Sequence, residues 1–224
     1  MPAVFVTSTG TEIGKTFVTA GLIRHFRNHG RAVNAVKPVV TGFDPDAFAG
    51  SDPAVLIEAL GRSVTLEEIA RISPWRFSAP LAPSMAAKRE GREIDFFAVV
   101  DFCRSAMKKG ETLFIEGVGG VMVPLDDRHT VIDWIAALRI PAVVVAGSYL
   151  GTISHTLTAI NVLAFRNLTT AAIVISETPG STVPLDDTVA TINRFGDLID
   201  VIALPRLAPD VHTHPAFERL AGLL

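Results

Sequence analysis

A lysine and a threonine stand at the end of a glycine turn near the start of the chain, in a pattern that binds phosphate. Residues 6–16 read Val-Thr-Ser-Thr-Gly-Thr-Glu-Ile-Gly-Lys-Thr, an apolar strand followed by a turn and an amphipathic segment. In such a turn, backbone N–H groups surround phosphate oxygens and the following helix N-terminus adds positive potential. Gly14 allows close approach, Lys15 can reach the terminal phosphates, and the Thr16 hydroxyl can ligate Mg²⁺. The segment therefore predicts a nucleoside triphosphate site.

The spacing departs from the strict phosphate-loop pattern, which places glycine at position 9 where this chain has Thr9. The flanking residues support the prediction, because 3–6 is strand-like and Val18, Leu22 and Phe26 recur at helical spacing. The alternative is an ordinary strand–turn–helix in which Gly-Lys-Thr occurs by accident.

Charged residues also follow two further predicted strands. Lys37 ends the second strand directly before a proline, and Glu116 ends a later strand directly before a glycine turn. Asp52 opens a predicted helix. Because Mg²⁺ prefers oxygen ligands, Thr16, Asp52 and Glu116 form a candidate metal set. Two alternatives remain open at this point: Asp52 as a helix N-cap, and Glu116 as an exposed residue of a hairpin.

Strand-like and helix-like segments alternate along the chain. Val-, Ile- and Ala-rich strands are predicted near 3–7, 33–37, 112–116, 141–146, 171–175 and 200–203. Helices are predicted near 15–28, 53–60, 95–108, 153–165 and 186–194. This order predicts an α/β fold with a parallel sheet wrapped by helices on both faces, a single domain over 1–224, and ligands at the carboxyl ends of the strands.

The composition of the chain argues against two classes of partner, nucleic acids and membranes. The chain has 224 residues, a net charge of −3 and scattered Lys and Arg, so we expect no nucleic-acid partner. It shows neither a secretory leader nor an apolar run of membrane-spanning length, so we expect a cytoplasmic protein without a membrane partner. The single cysteine, Cys103, lies on the apolar face of a predicted helix and is expected to be a small buried hydrophobe.

With these segments in place, the sequence resembles the dethiobiotin synthetase family of phosphate-loop enzymes. The matching blocks follow the family order across nearly the whole chain: Thr-Glu-Ile-Gly-Lys-Thr at 11–16, Val-Lys-Pro-Val-Val-Thr-Gly at 36–42, Ser-Asp at 51–52, Ser-Pro-Trp-Arg-Phe at 73–77, Ile-Glu-Gly-Val-Gly-Gly at 115–120, Asp-Trp at 133–134 and Leu-Gly-Thr-Ile-Ser-His at 150–155. The family loop is one residue longer than the strict pattern, and here Ser8 replaces its first glycine while Gly10 replaces an aspartate.

The resemblance implies a homodimeric enzyme that uses ATP, Mg²⁺, CO₂ and 7,8-diaminopelargonic acid to form dethiobiotin. It implies Lys37, Lys15 and Thr11 as catalytic residues and Thr16, Asp52 and Glu116 as metal ligands. The implied nucleotide contacts are Glu12, Ile13, Gly14, Lys15, Thr16, Phe17, Asp52, Glu116, Gly117, Val118, Gly119, Ser176, Glu177, Pro205, Arg206 and Leu207. The implied substrate contacts are Thr11, Glu12, Lys37 and Thr41 at the diamine end, and Leu150, Gly151, Thr152, Ile153 and Ser154 at the carboxylate end, the latter across the dimer interface.

The chain departs from the family at two ligand-contacting segments. Ser176-Glu177 replaces an Asn-Asp pair that reads adenine, and one hydroxyl discriminates bases less well than an amide, so relaxed nucleotide choice is expected. Near the substrate tail, Ser154 replaces an asparagine and Tyr149 replaces a basic residue of some members.

Two other functions use related sequence features. A dimeric ATPase switch of the chromosome-partitioning type would carry an additional lysine early in the loop, where this chain has Ser8 and Thr9. A small-molecule kinase of the phosphate-loop class would need an arginine-rich lid, and the loops after 41 and 73 contain only Arg76. In such a kinase, Lys37-Pro38 with a following Thr-Gly has no evident role.

Overall fold

Six short apolar segments form one parallel sheet in the computed structural model, which describes residues 3–196, 199–208 and 211–224. These are β1 Ala3–Ser8, β2 Val33–Val36, β5 Thr112–Glu116, β6 Ala142–Gly147, β7 Thr170–Ser176 and β8 Val201–Leu204. The spatial order is β2-β5-β1-β6-β7-β8, and every pairing is parallel. All six strands were predicted, and their ends differ from the prediction by one or two residues at most.

Helices cover the sheet on both faces, as predicted. They are α1 Lys15–Asn28, α2 Asp52–Ala59, α3 Leu66–Ile72, α4 Pro83–Arg89, α5 Phe96–Ala106, α6 Val131–Leu138, α7 Thr152–Phe165, α8 Leu185–Phe195 and α9 Pro215–Gly222. Because side chains alternate along a strand, β1 with six buried residues must be covered on both sides. Phe5 of β1 meets Trp134 of α6, and Phe114 of β5, in register with Val4, meets Phe26 of α1. Helices α1 and α6 therefore lie on opposite faces.

Short elements escaped the prediction. Strands β3 Val39–Thr41 and β4 Trp75–Phe77 pair in parallel as a second sheet of two strands, and helices α3, α4, α6 and α9 were not predicted. Each is eight residues or shorter, so hydrophobic periodicity has too few repeats to register. A capping box between Thr130 and Asp133 starts α6, and the Thr65 hydroxyl caps α3. Within the described residues, no helix is long and apolar enough to cross a membrane.

Candidate active site at the carboxyl end of the sheet

The turn between β1 and α1 has the backbone of an anion-binding loop. Glu12 and Gly14 both adopt positive φ, 58° and 102°, alternating with residues that do not. A Cβ at position 14 would lie 2.8 Å from the Ser176 hydroxyl, so only glycine fits there without movement. No side chain caps α1, and its first turn carries no acidic residue. The N–H groups at this helix start are therefore left for a ligand, as phosphate binding requires.

Lys15 is buried in this loop and is held by uncharged groups. Its Nζ donates to the Ser8 Oγ at 3.0 Å and to the Gly10 carbonyl at 3.1 Å. Ser8 is itself fully buried, and its hydroxyl also contacts the Gly119 carbonyl at 2.9 Å. Burial, followed by the charge of Lys37, lowers the pKa of Lys15 to about 8. Among the residues that the structure describes, no carboxylate pairs with this ammonium, which suits it to meet phosphate oxygens.

Lys37 occupies a different environment, between two carboxylates. Its Nζ donates to the Glu116 Oε1 at 2.6 Å and to the Asp52 Oδ2. The Thr16 hydroxyl donates to the same Glu116 oxygen at 2.7 Å. Thus β2, β5, α1 and the start of α2 bring together the four residues that the sequence singled out as the second cation and the metal set.

The environment of Lys37 and Asp52 favours the charged form of each. Burial alone would lower the pKa of Lys37, but the charges and hydrogen bonds of Glu116 and Asp52 outweigh it and raise that pKa. Burial would raise the pKa of Asp52, but the charge of Lys37 and hydrogen bonds with Lys37 and Thr16 outweigh that effect. The pKa of Asp52 therefore falls below its ordinary value. The Lys37 and Glu116 side chains are 4% and 0% exposed, whereas Asp52 is 49% exposed and opens to the cleft.

The two alternatives left open by the sequence can now be judged. Glu116 is completely buried at the end of a central parallel strand, so the exposed-hairpin alternative is wrong. Helix α2 starts at Asp52 with Ser51 at the N-cap, and the carboxylate of Asp52 accepts from Lys37. Asp52 is therefore not the N-cap of α2, and its carboxylate belongs to the charged cluster.

The oxygen atoms of this cluster fit a divalent cation. Glu116 Oε2 is buried and has no hydrogen-bond partner within 3–196, 199–208 and 211–224, which is costly for a carboxylate unless a cation or donor arrives. One hydroxyl and two carboxylates are the protein ligands that Mg²⁺ takes alongside phosphate and water. Thr16, Asp52 and Glu116 are thus the residues that would hold it.

A cleft of about 830 Å³ runs across this cluster and the loop. The predicted residues Thr11, Glu12, Thr41 and Val118 line it, together with Ile13, Gly14, Lys15, Thr16, Lys37, Asp52 and Gly119. The cleft is also lined by residues that were not predicted from the sequence: 80–83, Val40, Gly42 and Val123. Pro80 and Pro83 flank this short run, and the fixed φ of proline restricts its backbone.

The residues predicted to read the base lie at the other end of the loop. Ser176 ends β7 beside Gly14, and the Glu177 Oε2 accepts the Arg206 backbone N–H at 2.7 Å. Glu177 thereby ties the segment after β8, including Pro205 and Leu207, to the end of β7. Gly117 begins the turn after β5, and a Cβ there would lie 2.8 Å from the Phe5 ring. Phe17 instead packs on α9, with its ring centroid 6.1 Å from that of Phe217.

The segment predicted to bind the substrate tail lies apart from the cleft. Gly151, Ile153 and Ser154 line a separate open groove along α7, and the Leu150 side chain is 91% exposed. Thr152 is buried, and its hydroxyl donates to the Gly147 carbonyl at 2.6 Å. Within one chain, the structure does not bring these five residues to Lys15 and Lys37.

Comparison with known proteins gives this geometry a family. The model of a family described as an AAA domain matches residues 2–211. The ATP-dependent dethiobiotin synthetase of Acidiphilium cryptum is 48% identical over 196 residues, which is 87% of this chain and 88% of the relative. The chain belongs to the dethiobiotin synthetase family. The ATP-dependent dethiobiotin synthetases of Methylobacterium nodulans and Caulobacter sp. are each 47% identical to this chain. The matches cover 87% and 92% of this chain and 89% of each relative.

Solved structures of more distant proteins share the fold. The cell division ATPase MinD of Pyrococcus furiosus superposes with a TM-score of 0.56 at 17% identity, covering 100% of this chain and 98% of that one. The hydrogenase maturation factor HypB of Archaeoglobus fulgidus gives 0.56 at 12% identity, covering 98% and 86%. At these identities the likeness concerns the fold alone, and it confirms the predicted phosphate-loop NTPase architecture of this dethiobiotin synthetase family member.

Proposed function

We propose that this chain is a cytoplasmic ATP- and Mg²⁺-dependent ligase that converts 7,8-diaminopelargonic acid and CO₂ to dethiobiotin, with release of ADP and phosphate. The names of its relatives, ATP-dependent dethiobiotin synthetases, support this class of reaction. The observation that carries the proposal is the pair of buried lysines, Lys15 and Lys37, that meet at one cleft with unlike partners. One is suited to phosphate and the other to a second anionic group beside it.

The reaction has three covalent steps, and the residues divide accordingly. An amine of the substrate attacks CO₂ and loses a proton to give a carbamate. A carbamate oxygen then attacks the γ-phosphorus and ADP leaves; finally the second amine attacks the carbamate carbon, closing the ring and expelling phosphate. Phosphoryl transfer depends mainly on positioning and charge neutralisation. Lys15 would bind the γ-phosphate, Lys37 the carbamate oxygens, and Thr11, Glu12 and Thr41 the diamine.

Magnesium would be held by Thr16, Asp52 and Glu116, and when bound it neutralises phosphate charge. The loop from Glu12 to Thr16 would surround the phosphates through its backbone. Val118 and Gly119 line the same cleft and would close its edge. The contacts of Lys37 with Asp52 and Glu116, and of Thr16 with Glu116, support this proposal.

We propose a second copy of the chain as the partner. The groove along α7 leaves Leu150 and Phe165 exposed at 91% and 86%, next to the half-buried Ile153 and Leu157. Burying such a face in a symmetric contact would remove apolar surface from water. It would also carry the 150–154 segment toward the partner's cleft, which supports its predicted role at the substrate carboxylate.

Base selection is proposed to be relaxed. The Glu177 carboxylate is engaged by the Arg206 N–H, and Ser176 offers one hydroxyl. Turnover with ATP, GTP and CTP is therefore expected to be of similar size. A strong preference for ATP would contradict this part of the proposal.

The test of the reaction is direct. Purified protein is incubated with the diamine, bicarbonate, Mg²⁺ and ATP, while dethiobiotin is followed by mass spectrometry and ADP release is followed in parallel. Lys37→Gln is expected to reduce dethiobiotin formation by about 100-fold or more, since it removes a charge at the transition state. Lys109→Gln, an exposed lysine, is the matched control. ADP release without dethiobiotin, and unaffected by the diamine, would refute the ligase and favour the ATPase switch.

A further inference from the structure

The ammonium of Lys37 lies where a divalent cation would be drawn. Its Nζ is within hydrogen-bonding distance of both Asp52 and Glu116, the two carboxylates of the proposed metal set. The third proposed ligand, Thr16, donates its hydroxyl proton to the same Glu116 oxygen at 2.7 Å. Most oxygen atoms of the proposed metal set are therefore hydrogen-bonded by groups of the chain itself.

Electrostatics makes this arrangement necessary in the absence of metal. Glu116 is completely buried and Asp52 is half-exposed, and two carboxylates at one site repel each other unless a cation lies between them. Lys15 interacts electrostatically with both carboxylates, but its Nζ donates its hydrogen bonds to Ser8 and to the Gly10 carbonyl instead. Lys37 is thus the cation that neutralises the pair.

The same arrangement opposes a metal ion. Mg²⁺ binds oxygen at about 2.1 Å, and a Glu116 Oε1 already 2.6 Å from the Lys37 ammonium would then place two cations on one buried atom. Like charges at such a distance repel strongly where solvent is excluded. A metal ion on Glu116 Oε1, the atom that Lys37 and Thr16 both contact, therefore requires Lys37 to give up that contact.

We infer that Lys37 acts as a built-in substitute for the metal: its ammonium holds the Asp52–Glu116 pair in the nucleotide-free chain, and loading of the divalent ion displaces it toward the substrate side of the cleft. This inference rests on the proposed function for the identity of the metal ligands. Lys37 lines the cleft together with Thr11 and Thr41, so a displaced ammonium stays beside the proposed diamine position. Metal loading and delivery of the second lysine are then one event.

The first test measures Mn²⁺ binding to nucleotide-free protein by electron paramagnetic resonance, with no substrate present. Removal of the competing ammonium in Lys37→Gln is expected to tighten Mn²⁺ binding by about tenfold or more. Lys109→Gln, with its exposed side chain, should bind like the wild type. Equal affinity in Lys37→Gln and the wild type would overturn the inference, because the metal would then enter through Glu116 Oε2 while Lys37 keeps its place.

A second measurement needs no variant and decides the matter if Lys37→Gln does not fold. Wild-type protein is crystallised with Mn²⁺ and a non-hydrolysable ATP analogue, and the metal is located by its anomalous signal. A metal between Asp52 and Glu116 with Lys37 withdrawn from at least one of them supports the inference. Lys37 still in contact with both overturns it. Neither measurement involves dethiobiotin, so a failure of the ligase assay and a failure of this inference are separately visible.

Discussion

The cleft at the ends of β1, β2 and β5 and the outer face of α7 are opposites in composition and in burial. The cleft holds Lys15, Lys37 and Glu116 with less than a tenth of each residue exposed, and every one has a partner within the chain. The face of α7 holds Leu150 and Phe165 almost fully in water. Charged groups are enclosed in one region while large apolar groups are exposed in the other.

Among the described residues, this contrast distinguishes a region whose groups have partners within one chain from a region whose groups do not. Enclosed charges need partners, and one chain supplies a partner for each of the three at the cleft. Exposing a contiguous apolar face has no such internal compensation, and faces of this kind mark interaction sites. The nucleotide end of the proposed site thus lies within one chain, whereas the proposed substrate-tail end depends on the second copy that we propose.

The largest expected effect comes from breaking the enclosed charge pair. Glu116→Ala leaves the Lys37 ammonium buried with only the half-exposed Asp52, and should lower the free energy of unfolding by about 3 kcal/mol or more. Urea denaturation measures it. Glu93→Ala removes an exposed glutamate and should stay within about 0.5 kcal/mol of the wild type. Similar losses in both variants would mean that the cleft charges are not coupled as the geometry indicates.

The exposed face is tested by a charge placed on it. Phe165→Glu should weaken self-association by at least about 2 kcal/mol, or roughly 30-fold, because it buries an unpaired carboxylate in the proposed interface. Analytical ultracentrifugation measures the change. Phe97→Glu is the control, since Phe97 is also 68% exposed but lies on α5. If the protein is monomeric, or if only Phe97→Glu dissociates it, the α7 face is not the contact.

A smaller effect separates buried from exposed hydroxyls. Ser8→Ala removes an acceptor of the Lys15 ammonium inside the cleft, and should lower the free energy of unfolding by about 1–2 kcal/mol. Ser105→Ala removes an exposed hydroxyl that donates to the Phe102 carbonyl, and should change it by less than about 0.5 kcal/mol. Urea midpoints compare the two. Equal losses would show that Ser8 contributes no more than a surface serine.

The same contrast explains what could be read from the sequence. Lys15 was found from the Gly-Lys-Thr pattern of the loop. Lys37 and Glu116 were found because each ends a strand of strong apolar character, and parallel strands bring their carboxyl ends together. Ser8 was noticed only as a departure from the family, since nothing local shows that its hydroxyl would meet an ammonium seven residues later. Residues 80–83 were missed because a loop wall depends on tertiary folding rather than on periodicity.

Short elements and interfaces were the other limits. Helix α6 is eight residues long and depends on the Thr130–Asp133 capping box, which is visible in sequence only when it is sought. The apolar stripe of α7 has the same helical period as a core-facing helix, so the sequence cannot tell a core face from a surface awaiting a partner. The structure separates them through the exposure of Phe165.

The smallest expected effect concerns an ion pair at the C-terminal end of α7. Arg166, which follows α7, donates to Asp133 Oδ1 of α6 at 2.9 Å. Burial opposes the shift, but hydrogen bonds from the Thr130 N–H and from Arg166 keep the pKa of Asp133 below its ordinary value. Because the unfolded chain then binds the proton more readily, this contribution is present above about pH 4 and is lost as the pH falls through the lowered pKa.

Asp133→Asn keeps the shape of that side chain and removes its charge. The variant should be less stable than the wild type by up to about 1 kcal/mol at pH 7, a modest figure because Arg166 is 40% exposed, and the difference should vanish near about pH 2. Urea denaturation between those pH values measures the change. Asp101→Asn, in an exposed pair with Arg104 at 3.4 Å, serves as control and should change little. A pH-independent difference for Asp133→Asn would mean that the altered hydrogen bonds to Thr130 and Arg166, and not the charge of Asp133, cause the loss.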